Sequence, residues 1–171
     1  MLKAVMFDFG HTIMDELKGG DTPLASRPIF LMPGLPEILP HFAFRMGIWA
    51  NTKTARELDI RLWLRRAKIN DHFDWVISSV DAEARKPDRR FFRYALKKCK
   101  LKKEEVLFVG NQLNTDIRGA NDYGIRCVWL SGRAYRSRDD TPDDAPFARQ
   151  ARATHVIESL EQLPKLLEQF R

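Results

Sequence analysis

A chain of 171 residues, 44% hydrophobic and 30% charged, can bury one substantial core and is expected to form one domain over residues 1–171. That composition disfavours a disordered chain. No apolar run approaches the roughly 20 residues that cross a bilayer, and the first residues lack the basic and apolar segments of a leader, so a cytoplasmic protein is expected. A net charge of +6 and a pI near 9.5 favour anionic partners by long-range attraction.

The first predicted strand runs from Leu2 to Phe7 and ends on Asp8. Leu17 to Pro33 follows, with Gly19, Gly20, Pro23, Pro28 and Pro33, and reads as an extended loop or flap. A second strand covers Met46 to Ala50, after which Thr54 and Glu57 form a capping-box pattern before a helix reaching about Ala67. Trp75 to Ile77 is the third strand, and Pro87 suits the first turn of a helix from about Asp88 to Cys99. On that helix Phe92, Leu96 and Cys99 share one face, while Arg89, Arg93, Lys97 and Lys100 share another. The stretch RRFFRYALKKCKLKK could offer a nucleic acid cations and stacking rings, but this periodicity favours a solvated helix face, so nucleic acid is not an expected partner. Val106 to Val109, Cys127 to Leu130 and His155 to Ile157 complete the strands. A helix from near Asn114 ends at Gly124, and Ser159 with Gln162 opens the last one. Ser131 to Arg152 reads as a long mobile loop. Short apolar strands alternating with helices predict an α/β fold with a central, mostly parallel sheet covered on both faces, a Rossmann-like three-layer sandwich. Cys99 and Cys127 lack CxxC spacing and read as reduced structural thiols; His41, His72 and His155 show no ligand spacing.

In an open parallel sheet, ligands bind beyond the carboxyl ends of the strands. Four polar points fall there: Asp8 after the first strand, Asn51 to Thr54 after the second, Lys86 after the third, and Asn111 with Asp116 after the fourth. Together they would supply a carboxylate nucleophile, a cation and a cluster of metal-binding oxygens.

In this order and spacing the sequence resembles the haloacid dehalogenase (HAD) superfamily. FDFGHT is similar to the first family motif, DxDGT, with Asp8 at the nucleophile and Thr12 at the threonine. GIWANT looks like the second, with Asn51 in place; Lys86, Pro87 and Asp88 match the third. LFVGNQLNTDIRGA looks like the fourth, with Gly110, Asp116, Gly119 and Ala120 in place. The resemblance implies a HAD-like fold and a Mg²⁺-dependent phosphohydrolase. Asp8 would attack phosphorus, Lys86 would neutralise the transferring group, and Asn51 or Thr52 would contact substrate. Asp8, the Gly10 carbonyl and Asn111 would hold the metal, with Asp116 steadying the loop.

Three positions depart from the family. Gly10 stands in place of the acid/base aspartate, Ala50 in place of a phosphate-binding hydroxyl, and Asn111 in place of an acidic ligand. His11, where the family has glycine, admits two readings: a substitute acid/base, or a filler of the turn. Loss of the acid at position 10 implies a leaving group that departs largely unprotonated. Too few residues separate the motifs for a separate cap domain, so the site is expected to be open to a phosphorylated small molecule or macromolecule, or covered by a second copy in a homo-oligomer. Two alternatives stand beside the phosphohydrolase: a catalytically degraded interaction or regulatory module, and a carbon-halogen or carbon-phosphorus bond hydrolase.

Overall fold

A computed structural model describes residues 1–16, 22–136 and 152–171. Its frame is a six-stranded sheet, all pairs parallel, in the order β3-β2-β1-β4-β5-β6. The strands are β1 (Ala4–Phe7), β2 (Arg45–Ala50), β3 (Phe73–Ser78), β4 (Val106–Gly110), β5 (Arg126–Leu130) and β6 (His155–Ile157). Every predicted strand is present, with ends displaced by at most two residues. The central three are buried almost throughout because both faces are covered. Alternation divides the side chains of these strands and of β5 between two cores. Val5, Phe7, Ile48, Leu107, Val109 and Val128 enter one, with Trp63 and Leu64 of a covering helix. Ala4, Met6, Trp49, Phe108 and Cys127 enter the other, with Phe91, Phe92 and Ala95.

Five α-helices lie among the described residues: α1 (Leu35–Ile38), α2 (Glu57–Arg66), α3 (Arg89–Cys99), α4 (Arg118–Tyr123) and α5 (Leu163–Leu167). α3 buries Phe92, Leu96 and Cys99 as its periodicity predicts, together with Phe91 and Ala95. Asp88 caps its start, accepting a hydrogen bond from the Arg90 amide at 2.8 Å. Gly124 closes α4 at φ 86°, the left-handed conformation that glycine adopts without steric cost. The cap of α2 differs from expectation. Asp59 accepts from the Arg56 amide at 2.8 Å, while the Glu57 amide is taken by Asp81 at 2.7 Å, so the chain stays extended past Thr54.

Of the two expected loops, residues 17–21 and 137–151 lie outside the described part. The remainder is more structured than a loop. Residues 13–15 pair with 30–32: the Asp15 amide donates to the Phe30 carbonyl at 2.8 Å and the Met32 amide to the Ile13 carbonyl at 3.0 Å, burying Met14 and Met32. This ribbon begins five residues after Asp8. Beyond β5 the chain makes a 3₁₀ turn, Arg133–Tyr135, and buries Tyr135. The Tyr135 hydroxyl donates to the Pro33 carbonyl at 2.6 Å and accepts from the Leu160 amide at 3.2 Å, which ties the turn to both neighbours.

Candidate active site

Parallel pairing places the ends of β1, β2, β3 and β4 along one edge, with one register shift between β2 and β3 at Met46 and Gly47, and polar residues that follow the strands meet there. Lys86 is the centre. Its Nζ lies 2.6 Å from Asp8 Oδ1 and 2.8 Å from Asp116 Oδ1, joining residues 78 positions apart. The side chains of Lys86 and Asp116 are each 1% exposed, against 12% for Asp8, so the triad opens to solvent at the Asp8 end. Asp116 is held further by the Gln112 amide, which donates to Oδ2 at 3.1 Å. Gly110 permits this arrangement: a Cβ there would fall 2.5 Å from Asp116 Oδ2.

Burial disfavours charge on Asp8, and neighbouring Asp116 adds repulsion. Lys86 offsets these only in part, leaving the Asp8 carboxyl pushed up to about 7. Burial works against the Lys86 ammonium as well, but Asp116 and Asp8 together outweigh it and raise its pKa.

Asn51 serves the lysine rather than open space. Its Nδ2 donates to the Lys86 carbonyl and its Oδ1 accepts from the Lys86 amide, both at 2.9 Å, so its side chain clamps the Lys86 backbone. Thr52 is also engaged internally. Its hydroxyl donates to the Ala55 carbonyl at 2.6 Å and its amide to Ser79 Oγ at 2.9 Å. Thr52 borders a cleft of about 350 Å³ with Lys53, Ser79 and Arg85, and none of Asp8, Lys86 and Asp116 lines it.

Asn111 is buried with its two side-chain atoms facing different ways. Nδ2 donates to the Tyr135 carbonyl at 2.8 Å, while Oδ1 faces Thr12 Oγ1 at 3.5 Å, towards the loop that carries Asp8. An aspartate here would bring a carboxylate against the Tyr135 carbonyl. Asn111→Asp is therefore expected to lose about 1–3 kcal/mol of stability without metal, from the lost donor and the carbonyl left unpaired. Melting with and without Mg²⁺ checks this, and a larger metal-dependent rise in the variant than in wild type is the expected signature of the added charge.

His11 turns the chain at φ 56°, which explains why a glycine suits this position. The ring is buried, with Nδ1 unpartnered and Nε2 3.6 Å from Glu16 Oε2. Gly10 itself is not left-handed. A Cβ on it would lie 2.5 Å from Glu16 Oε1 and 2.6 Å from Glu16 Cδ, so the Glu16 carboxylate occupies the space a side chain at position 10 would enter. Sequence reading missed Glu16 and Tyr135, because only the folded ribbon and the turn after β5 bring them to this edge.

The metal-binding groups implied by the sequence are hard oxygen donors: the Asp8 carboxylate, the Asn111 amide oxygen and a backbone carbonyl at Gly10. Among the described residues no three His, Cys, Asp or Glu side chains cluster as a metal cage. The donor set suits Mg²⁺, which keeps several waters and takes one or two carboxylates, and it would bind softer metals poorly.

Comparison with known proteins agrees with this geometry. Residues 31–130, more than half of the chain, match the model of the haloacid dehalogenase-like hydrolases. That stretch holds Asn51, Lys86, Asn111 and Asp116 and begins after Asp8. A glyceraldehyde 3-phosphate phosphatase of Pyrococcus furiosus is 32% identical over 111 residues, 64% of this chain and 43% of that protein. A phosphoserine phosphatase of Thermus thermophilus is 37% identical over 83 residues, 48% of this chain and 32% of that protein. The chain spans about half the length of the curated relatives it matches. Among solved structures, an uncharacterized protein from Listeria monocytogenes superposes with a TM-score of 0.79 at 26% identity, covering 98% of both chains. The magnesium-bound HAD-hydrolase YfnB of Bacillus subtilis gives 0.74 at 15% identity over 97% of this chain and 98% of that one, a likeness of fold. Strand order, the Asp8–Lys86–Asp116 triad and the matched stretch converge on one assignment: the chain belongs to the haloacid dehalogenase-like hydrolase family.

Proposed function

We propose that the protein is a Mg²⁺-dependent phosphohydrolase in which Asp8 attacks phosphorus. The observation that supports this reading is the buried Asp8–Lys86–Asp116 arrangement, with Asp8 as its solvent-facing end. Asp8 Oδ1 is held by Lys86, which aims the carboxylate along the mouth of the site and lets its second oxygen meet the phosphoryl group. As the Asp8 oxygen bonds to phosphorus the ester bond breaks, and water later releases phosphate and restores the carboxylate. Lys86 lies where it would stabilise charge on the transferring oxygens. Asp8 and Asn111, with the Gly10 carbonyl, would hold Mg²⁺, whose chemistry is to remove repulsion between the carboxylate and the phosphate dianion. The substrate is a phosphorylated small molecule or macromolecule, attracted by the net charge of +6.

The metal and the proton compete for Asp8. With the carboxyl at about 7 in the metal-free protein, Mg²⁺ binding should weaken about tenfold per pH unit below that value and level off above it. Calorimetric titration in buffers of different protonation enthalpy tests this: proton release at pH 6.5 that vanishes in Asp8→Asn is expected, and pH-independent affinity would argue against Asp8 as a ligand. Mg²⁺-dependent hydrolysis of 4-nitrophenyl phosphate by the wild type tests the reaction class. No turnover on a panel of phosphate esters by the folded protein would favour the interaction-module alternative.

A further inference from the structure

Four backbone hydrogen bonds return the chain over the end of β1. The Met14 amide donates to Phe9 at 3.0 Å, the His11 amide to Met14 at 2.7 Å, the Asp15 amide to Phe30 at 2.8 Å and the Met32 amide to Ile13 at 3.0 Å. They bring the Glu16 carboxylate onto Gly10, with both its oxygens within 2.9 Å of where a Cβ would stand. Glu16 is 44% exposed, so its acid reaches water, while Nε2 of the buried His11 faces its inner oxygen at 3.6 Å. Asp8 and Asp116 are both held by Lys86 and differ from it in this respect. Two residues from Asp8 the chain thus carries a carboxyl group besides the two that Lys86 holds.

We infer that Glu16 is the proton donor and acceptor of the reaction, reaching from six residues along the chain into the place left empty at Gly10. The inference rests on the phosphohydrolase reading. In the first half-reaction the Asp8–phosphorus bond forms and the bond from phosphorus to the leaving oxygen breaks. The electron pair goes to that oxygen, and the Glu16 carboxylic acid supplies its proton. In the second half-reaction the Glu16 carboxylate takes a proton from water as the water oxygen bonds to phosphorus. The Asp8–phosphorus bond breaks, inorganic phosphate leaves, and both carboxyl groups return to their starting states. The missing side chain at position 10 then does not restrict the protein to leaving groups that depart unprotonated, and ordinary alkyl phosphates become substrates.

Glu16→Gln tests this, since it preserves size and alters a half-exposed side chain. Steady-state turnover with Mg²⁺ is compared on an alkyl ester, glycerol phosphate, and on an aryl ester with a good leaving group, 4-nitrophenyl phosphate. Loss of the acid is expected to lower alkyl turnover about 10²-fold or more and aryl turnover less than about tenfold. A second pair of variants relocates the acid. Gly10→Asp with Glu16→Ala puts the acid back at position 10 and should raise alkyl turnover above that of Glu16→Ala alone. Equal losses on both esters, no loss on either, or a wild type inert towards alkyl esters would overturn the role of Glu16. If aryl turnover still falls in Asp8→Asn, the phosphohydrolase reading survives that failure. Turnover indifferent to Asp8→Asn overturns both.

Discussion

Lys86→Met is expected to lower stability by about 3–5 kcal/mol at pH 8, because it leaves two buried carboxylates facing each other without the cation between them. The methionine fills much the same volume and keeps contact with the Phe108 ring that the lysine lies over, so the loss is mainly electrostatic. Its pH dependence has a definite sign. A carboxyl whose pKa is higher folded than unfolded contributes stability that is complete below the unfolded value and lost as pH rises through the folded one. For Asp8 in the wild type, that window runs from 3.8 to about 7. Lys86, raised above 10.5 by its two partners, contributes stability that persists across neutral pH and declines only when pH rises past that range. Removing it takes away the cation that holds the Asp8 carboxyl down, so the gap between variant and wild type should widen from pH 5 to pH 8. Denaturant unfolding at both pH values measures it, and a gap independent of pH would mean that the triad is not the source of the loss.

Asp8→Asn is expected to abolish turnover, by about 10⁴-fold or more, because an amide oxygen forms no stable bond to phosphorus and the step has no substitute nucleophile. The fold should not suffer. The wild-type carboxylate is disfavoured by burial and by Asp116, and Lys86 retains Asp116 at 2.8 Å when Asp8 is neutral. Relative to wild type, the variant should therefore gain stability as pH rises from about 4 to 8, and at pH 8 it should be at least as stable. Catalytic groups held against their preferred ionisation commonly produce this opposition between stability and activity. Kinetics on 4-nitrophenyl phosphate together with denaturant unfolding of the same sample check both halves.

The division between what the sequence discloses and what it hides follows the range of the interactions. Strands were legible because Leu2–Phe7 and Val106–Val109 are continuous apolar runs, the signature of a strand buried on both faces. α3 was legible because its apolar period is that of a helix and Asp88 lies at its cap. Strand-end placement brought Asp8, Lys86 and Asp116 to one edge, and the resemblance of their motifs assigned them roles that geometry alone leaves open. Illegible were contacts made by loops whose course depends on the rest of the fold. Asn51 turns its amide onto the Lys86 backbone, 35 residues away, because β2 and β3 are neighbours. Asn111 keeps its amide nitrogen because a carbonyl of Tyr135 arrives from the turn after β5. Glu16 lies over Gly10 because residues 13–15 pair with 30–32, a pairing that the glycine and proline content between them conceals. The α2 cap lies at Arg56, with Asp59 accepting from its amide, rather than at Thr54 for a similar reason, since Asp81 takes the Glu57 amide.

If Asp8 is the nucleophile it becomes covalently phosphorylated during turnover, and chemical trapping detects that species. Wild-type protein turning over 4-nitrophenyl phosphate with Mg²⁺ is quenched with borohydride, which reduces an aspartyl phosphate to homoserine, and the residue is located by peptide mass spectrometry. Homoserine at position 8, dependent on substrate and on Mg²⁺ and absent from Asp8→Asn, is the predicted result. Sustained turnover with an unmodified Asp8, or reduction at another carboxylate, would contradict it.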